Sequence, residues 1–260
     1  VTAPDRRRPR RAGPIVLAVL GVMAMLVVVG VAALSSLSAP DDGADEPRRG
    51  DGLTPADVDR NTPVPQPAPL AEGIDLAAWS GAAQERSGVP ARALRAYAAA
   101  ELGQRADTPD CGLSWITLAG IGRVESDHGR YGGAEVDADG VARPRIIGVP
   151  LDGSPGVREI RDTDTGRFDG DTTFDRAVGP MQFLPGTWER YGADGNADGV
   201  RDPHQLDDAA LAAARYLCAD GRDTASGEGW WDGILTYNSS VEYARLVWAA
   251  ADRYNTTTAA

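Results

Sequence analysis

The sequence contains no lysine: all 26 of its basic residues are arginine. That bias reflects the coding sequence and carries no functional signal. Cysteine and histidine are nearly absent, with two of each. Cys111, Cys218, His128 and His204 match no zinc-ligand spacing, which argues against a site built from them. No internal repeat is present. Beyond residue 13 the acids outnumber the arginines, 37 to 21. The net charge is −12, yet Arg6, Arg7, Arg8, Arg10 and Arg11 all precede residue 14, with Asp5 the one acid among them. A body this acidic argues against a nucleic-acid partner.

What is present begins with an apolar run. Residues Ile15 to Leu34 are apolar or Gly without a break, long enough to cross a bilayer as a helix. The Arg cluster before it and the Asp-rich sequence after it orient the N-terminus toward the cytoplasm. The competing reading is a cleaved signal peptide, since Leu37-Ser38-Ala39 offers small residues to a peptidase; the run exceeds the usual length of such a segment, which favours a retained anchor. Either way, the rest of the chain leaves the cytoplasm. In an oxidising compartment, Cys111 and Cys218 are expected to form one disulfide. The expected organisation is a basic tail (1–13), a membrane helix (14–37), a Pro/Asp/Gly-rich disordered linker (38–72), a catalytic domain (73–255) and a short tail (256–260).

The body reads as one mainly α (α+β) domain. Helices are expected over 74–86, from Pro90 through Leu102, from Trp115 to Glu125, over 185–191, over 207–219, over 230–237, and from Ser239 with Glu242 completing a capping box. Between residues 132 and 176, Gly, Pro and Asp predominate, which suggests loops with a small β-hairpin or two around 145–149 and 157–160. So long a connection has room to line a cleft.

The stretch Trp115 to Gly132 places Glu125 beside a buried stripe at the end of a helix, with Gly129 as the expected stop. Apolar surroundings and the negative end of the helix dipole would both keep its carboxyl protonated. A carboxylic acid held neutral near pH 7 is suited to general acid catalysis. Taken alone, it also fits an ordinary surface Glu. Three further motifs follow: Ala177-Val-Gly-Pro-Met-Gln-Phe-Leu-Pro-Gly-Thr-Trp188, the loop Asp194 to Asp202, and Tyr237-Asn238. In the loop, Asp194, Asn196, Asp198, Val200 (through its carbonyl) and Asp202 follow the start of a calcium-binding pattern with Gly199 at the sixth position. The twelfth position is Gln205, so the bidentate acid must come from elsewhere, with Asp207 or Asp208 in reach.

In this order, Glu125-Ser-Asp-His-Gly-Arg-Tyr, Ala177–Trp188, Asp194–Pro203 and Tyr237-Asn238-Ser-Ser-Val-Glu-Tyr243 resemble the membrane-bound lytic murein transglycosylases of the lysozyme-like superfamily, in the branch with a calcium loop. The paired cysteines resemble those of actinobacterial members. The resemblance covers residues 111–254. It implies a lysozyme-like helical domain that cleaves the β-1,4 bond between N-acetylmuramic acid and N-acetylglucosamine, leaving 1,6-anhydro ends. It further implies Glu125 as the catalytic acid and Ser126, Gln182, Tyr237 and Asn238 as substrate-binding residues. No cofactor is needed for the chemistry, and calcium would be structural. The partners would be peptidoglycan strands, and the membrane through the N-terminal helix.

Hydrolases of the retaining and inverting kinds need a second carboxylate, and none stands out. Asp127 is two residues from Glu125 and points away on a helix; Asp139, Asp164 and Asp175 lie in the long connection. The alternatives are a water-using muramidase with a loop Asp as base, and a non-catalytic wall-binding module.

Overall fold

The computed structural model describes residues 53–259. The apolar run 15–34 lies outside them; among the described residues, no helix is long and apolar enough to cross a membrane. Among the described residues, seven α-helices carry the fold: α1 (Leu76–Ser87), α2 (Ala91–Asp107), α3 (Trp115–Ser126), α4 (Pro185–Tyr191), α5 (Leu206–Leu217), α6 (Gly227–Tyr237) and α7 (Val241–Ala259). The helix starts follow local chemistry. Asp75 accepts from the amides of Ala77 and Ala78 at the head of α1, Gln205 from that of Asp208 at the head of α5, and Ser226 from that of Gly229 at the head of α6. At the last helix, Ser240 Oγ accepts from Tyr243 N (3.2 Å), and α7 starts at Val241, two residues after the expected Ser239.

The core forms around α3, nine of whose twelve residues are buried. It lies against α7 on one side and α2 on another, and α2 in turn lies against α5. Small residues permit these approaches. Ala209, Ala210, Ala212, Ala213 and Ala214 of α5 are completely buried. At Gly120 of α3, a Cβ would stand 2.8 Å from the carbonyl oxygen of Val247, so α7 fits only over a bare backbone there. The disulfide forms between Cys111, just ahead of α3, and Cys218, at the end of α5.

Two expectations are corrected. The long connection has almost no regular strand. β1 (Glu135–Val136) pairs antiparallel with β2 (Ala142–Arg143); the segments around 145–149 and 157–160 make only isolated bridges, Ile147 to Val178 and Asp152 to Glu159. Asp side chains take backbone amides throughout this region, as Asp171 does from Thr173 and Phe174, and so replace ladder partners. The second correction concerns the linker. Residues 53–72 are seated on the domain instead of hanging free. Val64 and Leu70 are buried in the core cluster. Trp231 Nε1 donates to Thr62 O (3.0 Å), Arg245 Nε to Val58 O (3.1 Å) and Arg105 Nη2 to Leu70 O (2.6 Å). A Pro-rich strap has few amides to offer but many carbonyls, and long side chains from the helices reach those carbonyls.

Candidate active site

α3 runs to Ser126 and is stopped two residues before the expected Gly129. Asp127, at φ 51° with its amide donating to Arg123 O and Gly122 O, terminates the helix. His128 and Gly129 follow, also at positive φ. Asp127 tolerates this because its carboxylate is held by Arg123 and Arg130. The turn leaves Glu125 in the last turn of the helix, partly buried and facing α7. Tyr243 Oη donates to Glu125 Oε1 at 2.6 Å. Desolvation pushes the Glu125 carboxyl up to about 7, and the tyrosine bond works against that rise. Tyr243 is itself held well above the usual phenol range by burial and by the neighbouring Glu125, so it remains a donor.

The 177–183 turn is fixed against this helix end. Gly179, at φ 76°, lies so near the 203–204 backbone that a Cβ would stand 1.8 Å from Pro203 O; only glycine fits. Ser126 Oγ donates to Pro180 O (2.6 Å) and accepts from Gly129 N (2.8 Å). Ser126 is thus buried with its hydroxyl spent inside the protein. These bonds tie the end of α3 to the 177–183 turn. Gln182 adopts φ 48° and its Nε2 donates to Gly179 O (2.9 Å). Its Oε1 lies over Gly148, where a Cβ would stand 3.2 Å away. That contact brings the 145–149 segment to the same turn, with Ile147 and Val149 exposed.

Tyr237 Oη donates to Met181 O (2.7 Å), and its ring packs edge-on to Phe183. Burial, and next to it the charge of Glu125, raise its phenol well above the usual range. Asn238 terminates α6 and its Oδ1 accepts from Ser240 N (3.1 Å). The structure therefore brings Glu125, Gln182 and Tyr237 to one turn, with Asn238 at the α6–α7 corner beside them. Tyr243 is the contact that sequence reasoning missed. It stood in the last quoted motif, six residues beyond Tyr237, but only the crossing of α7 over α3 shows that it meets Glu125.

Two of the loop acids, Asp164 and Asp175, are bonded within their own loop. Asp175 is buried, and Thr163 N and Oγ1 donate to it (2.8 and 2.7 Å). Its oxygens cluster with those of Asp162 and Asp164, within 4.8 Å of one another. Asp164 takes the amides of Gly166 and Phe168. Asp139 is exposed.

The 194–202 loop closes on protein groups. Asp194 accepts from Asp198 N and Gly199 N (3.1 and 2.9 Å), Asn196 Oδ1 from Asp198 N (3.0 Å), Asp198 from Val200 N (2.8 Å) and Asp202 from His204 N (2.9 Å). Asp208 ties the loop to α5. It accepts from Gly195 N (2.7 Å) and Asp202 N (2.8 Å), and burial lifts its carboxyl to about 6. The oxygen-rich set suits a hard cation. A bidentate acid is harder to find: Gln205 is engaged with Asp139 O and Asp208 N, and Asp207 is paired with Arg92.

Comparison with curated proteins and with solved structures gives no match. The model of one family, described as Transglycosylase SLT domain, matches residues 163–231. That span takes in the Ala177–Trp188 motif, the 194–202 loop and α5, and begins after Glu125. The helical body with its small two-stranded sheet fits the lysozyme-like fold. Over the matched span the chain is similar to the transglycosylase SLT domain, which supports a transglycosylase-type enzyme acting on peptidoglycan.

Proposed function

We propose that the chain is a lytic transglycosylase that cuts the β-1,4 bond between N-acetylmuramic acid and N-acetylglucosamine in peptidoglycan and leaves 1,6-anhydro ends. The observation that carries this reading is the single acid. Glu125 is held protonated to about pH 7 by desolvation, is oriented by Tyr243, and has no carboxylate among the groups that set its proton affinity. Glu125 gives its proton to the glycosidic oxygen as the bond from C1 to that oxygen breaks. The resulting carboxylate then takes the proton of the muramyl C6 hydroxyl as O6 bonds to C1. The enzyme ends in its starting protonation state, and no water is consumed.

Gln182, Tyr237 and Asn238 line the cleft in this reading, and Ser126 holds the 177–183 turn against the helix that bears the acid. Anchoring through residues 15–34, an extracytoplasmic catalytic domain and a structural calcium ion on Asp194, Asn196, Asp198, Val200 O and Asp202 belong to the same proposal. The calcium ion would order the loop and supply no chemistry. A calorimetric titration is expected to show weak binding; no heat and no rise in Tm would remove it.

The reaction is tested by mass analysis of digested cell wall. Anhydro ends are expected. Reducing ends would make the protein a water-using muramidase, and a Glu125→Gln variant that clears wall at the wild-type rate would overturn both enzyme readings.

A further inference from the structure

The segment 146–149 runs alongside the 177–183 turn and is fixed to it. Gly179 N donates to Ile146 O and Gly148 N to Ala177 O, both at 2.8 Å, and Ile147 forms an antiparallel bridge with Val178. Side chains alternate along such an extended segment. Ile146 is buried, whereas Ile147 and Val149 are 38 % and 64 % exposed. Gly148, between them, is the residue that Gln182 Oε1 approaches. Two aliphatic side chains therefore stand in water on one side of a rigid segment, beside a residue of the candidate site. The other exposed large apolar residues, Tyr131, Val200 and Val241, stand singly in the chain and need no explanation.

Ile147 also belongs to the wall of a hollow of about 350 Å³, which Asp169, Gly170, Asp171, Thr172 and Arg176 complete. This wall is polar and fixed. Arg176 Nε and Nη2 bond to Asp171 Oδ2, both at 2.9 Å, and Arg176 Nη1 donates to Gly148 O (3.3 Å). Buried Asp169 accepts from Asp171 N (2.9 Å) and Arg176 N (2.8 Å), so the pair is held from its backbone as well. The amides of Thr173 and Phe174, and then Arg176, hold the Asp171 carboxyl below the usual carboxylate range, so it stays charged. Asp171 and Arg176 keep 18 % and 30 % of their side chains exposed, and Thr172 is exposed between them. A ligand in the hollow meets an anion, a cation and a hydroxyl, with the aliphatic ridge at its edge.

That combination separates the two parts of a wall polymer. The sugars of the strand carry no cation and little alkyl surface. The peptide stem carries methyl groups, amides, carboxylates and a free amine. We propose that the 146–149 ridge and the adjoining hollow bind the peptide stem of the strand, with its alkyl groups on Ile147 and Val149 and its amide and charged groups on Thr172, Asp171 and Arg176. The assignment rests on the reading of the Glu125 site as one that acts on peptidoglycan, and it makes stem-bearing strands the preferred substrate.

The test is calorimetric and needs no turnover. The full-length chain is titrated with two soluble probes that differ only in the stem: N-acetylglucosaminyl-N-acetylmuramic acid, and the same disaccharide carrying L-alanyl-D-isoglutamyl-diaminopimelic acid. The stem-bearing probe is expected to bind about tenfold more tightly. An Ile147→Ser/Val149→Ser double variant is expected to lose that difference and to bind the bare disaccharide as the wild type does. Thr172→Ala is expected to reduce the difference about threefold, and carries the test alone if the double variant does not fold. The proposal is overturned if the stem adds no affinity in the wild type, if the folded variants keep the full difference, or if they weaken both probes alike, which would make this a surface for sugar. A wild-type chain that prefers the stem-bearing probe yet leaves cell wall uncut would overturn the enzyme reading and leave the stem site standing.

Discussion

At the scale of the residue, the central contact is Tyr243 Oη to Glu125 Oε1. The phenol stabilises the charged carboxylate, so Tyr243→Phe is expected to raise the Glu125 pKa further. The basic limb of the pH–rate profile, expected near pH 7 in the wild type, should move to higher pH. kcat should fall by about tenfold as the acid loses its orientation. A profile that does not move would detach the tyrosine from the acid. The same carboxyl links pH to stability. Its folded value of about 7 lies above the ordinary 4.5, so the fold resists its ionisation. Stability is therefore full below the ordinary value and is lost as pH rises toward 7. The loss is of the order of 3 kcal/mol. Chemical denaturation across that range should show the decline in the wild type, and Glu125→Gln should flatten it. Glu125 itself was legible in the sequence, because helical spacing put it beside an apolar stripe. Its tyrosine partner was not, since the two lie far apart in the chain and no local pattern encodes the crossing of α3 and α7.

At the scale of the element, the 177–183 turn and the 194–202 loop work by replacing regular structure with fixed amide bonds. Gly179 is the tightest point. Gly179→Ala is expected to destabilise by more than about 3 kcal/mol, because both positive φ and the Pro203 carbonyl oppose a side chain; a Tm within a degree or two of wild type would argue that the turn yields. Asp208→Ala removes the acceptor of three loop amides, those of Gly195, Asn196 and Asp202. It should cost about 2–4 kcal/mol and speed hydrogen exchange at Gly195 and Asp202. Helices came through in the sequence because caps and apolar spacing are local signals: α4 has its expected bounds, and α1, α5 and α6 lie within a few residues of theirs. The 132–176 connection did not, because its aspartates spend themselves on nearby amides in turns. Composition shows such residues in number but cannot say which amide each one takes.

At the scale of the whole molecule, one covalent bond joins the start of the α3 segment to the end of α5. The Cys111–Cys218 bond closes a loop spanning 107 positions. In the chain-entropy model its removal costs about 4–5 kcal/mol, so a reduced protein should unfold at clearly lower denaturant, with a Cys111→Ala/Cys218→Ala pair behaving alike. The pairing was legible from cysteine count once the apolar run suggested export. The seating of residues 53–72 was not. Two buried side chains, Val64 and Leu70, and a handful of carbonyl acceptors suffice to bind a strap that composition describes as a spacer.

That strap would also limit, under the proposed anchoring, how far the catalytic domain can reach. Under the proposed anchoring, a linker over 38–72 would give a leash of about thirty-five residues, or up to about 120 Å at full stretch. With residues 53–72 seated on the body, at most about fifteen residues of that linker would be left to span, and its reach would be at most about 50 Å. The enzyme would then graze only the layer of wall nearest its own membrane, and lengthening the chain ahead of Leu53 would widen the depth of wall it can trim.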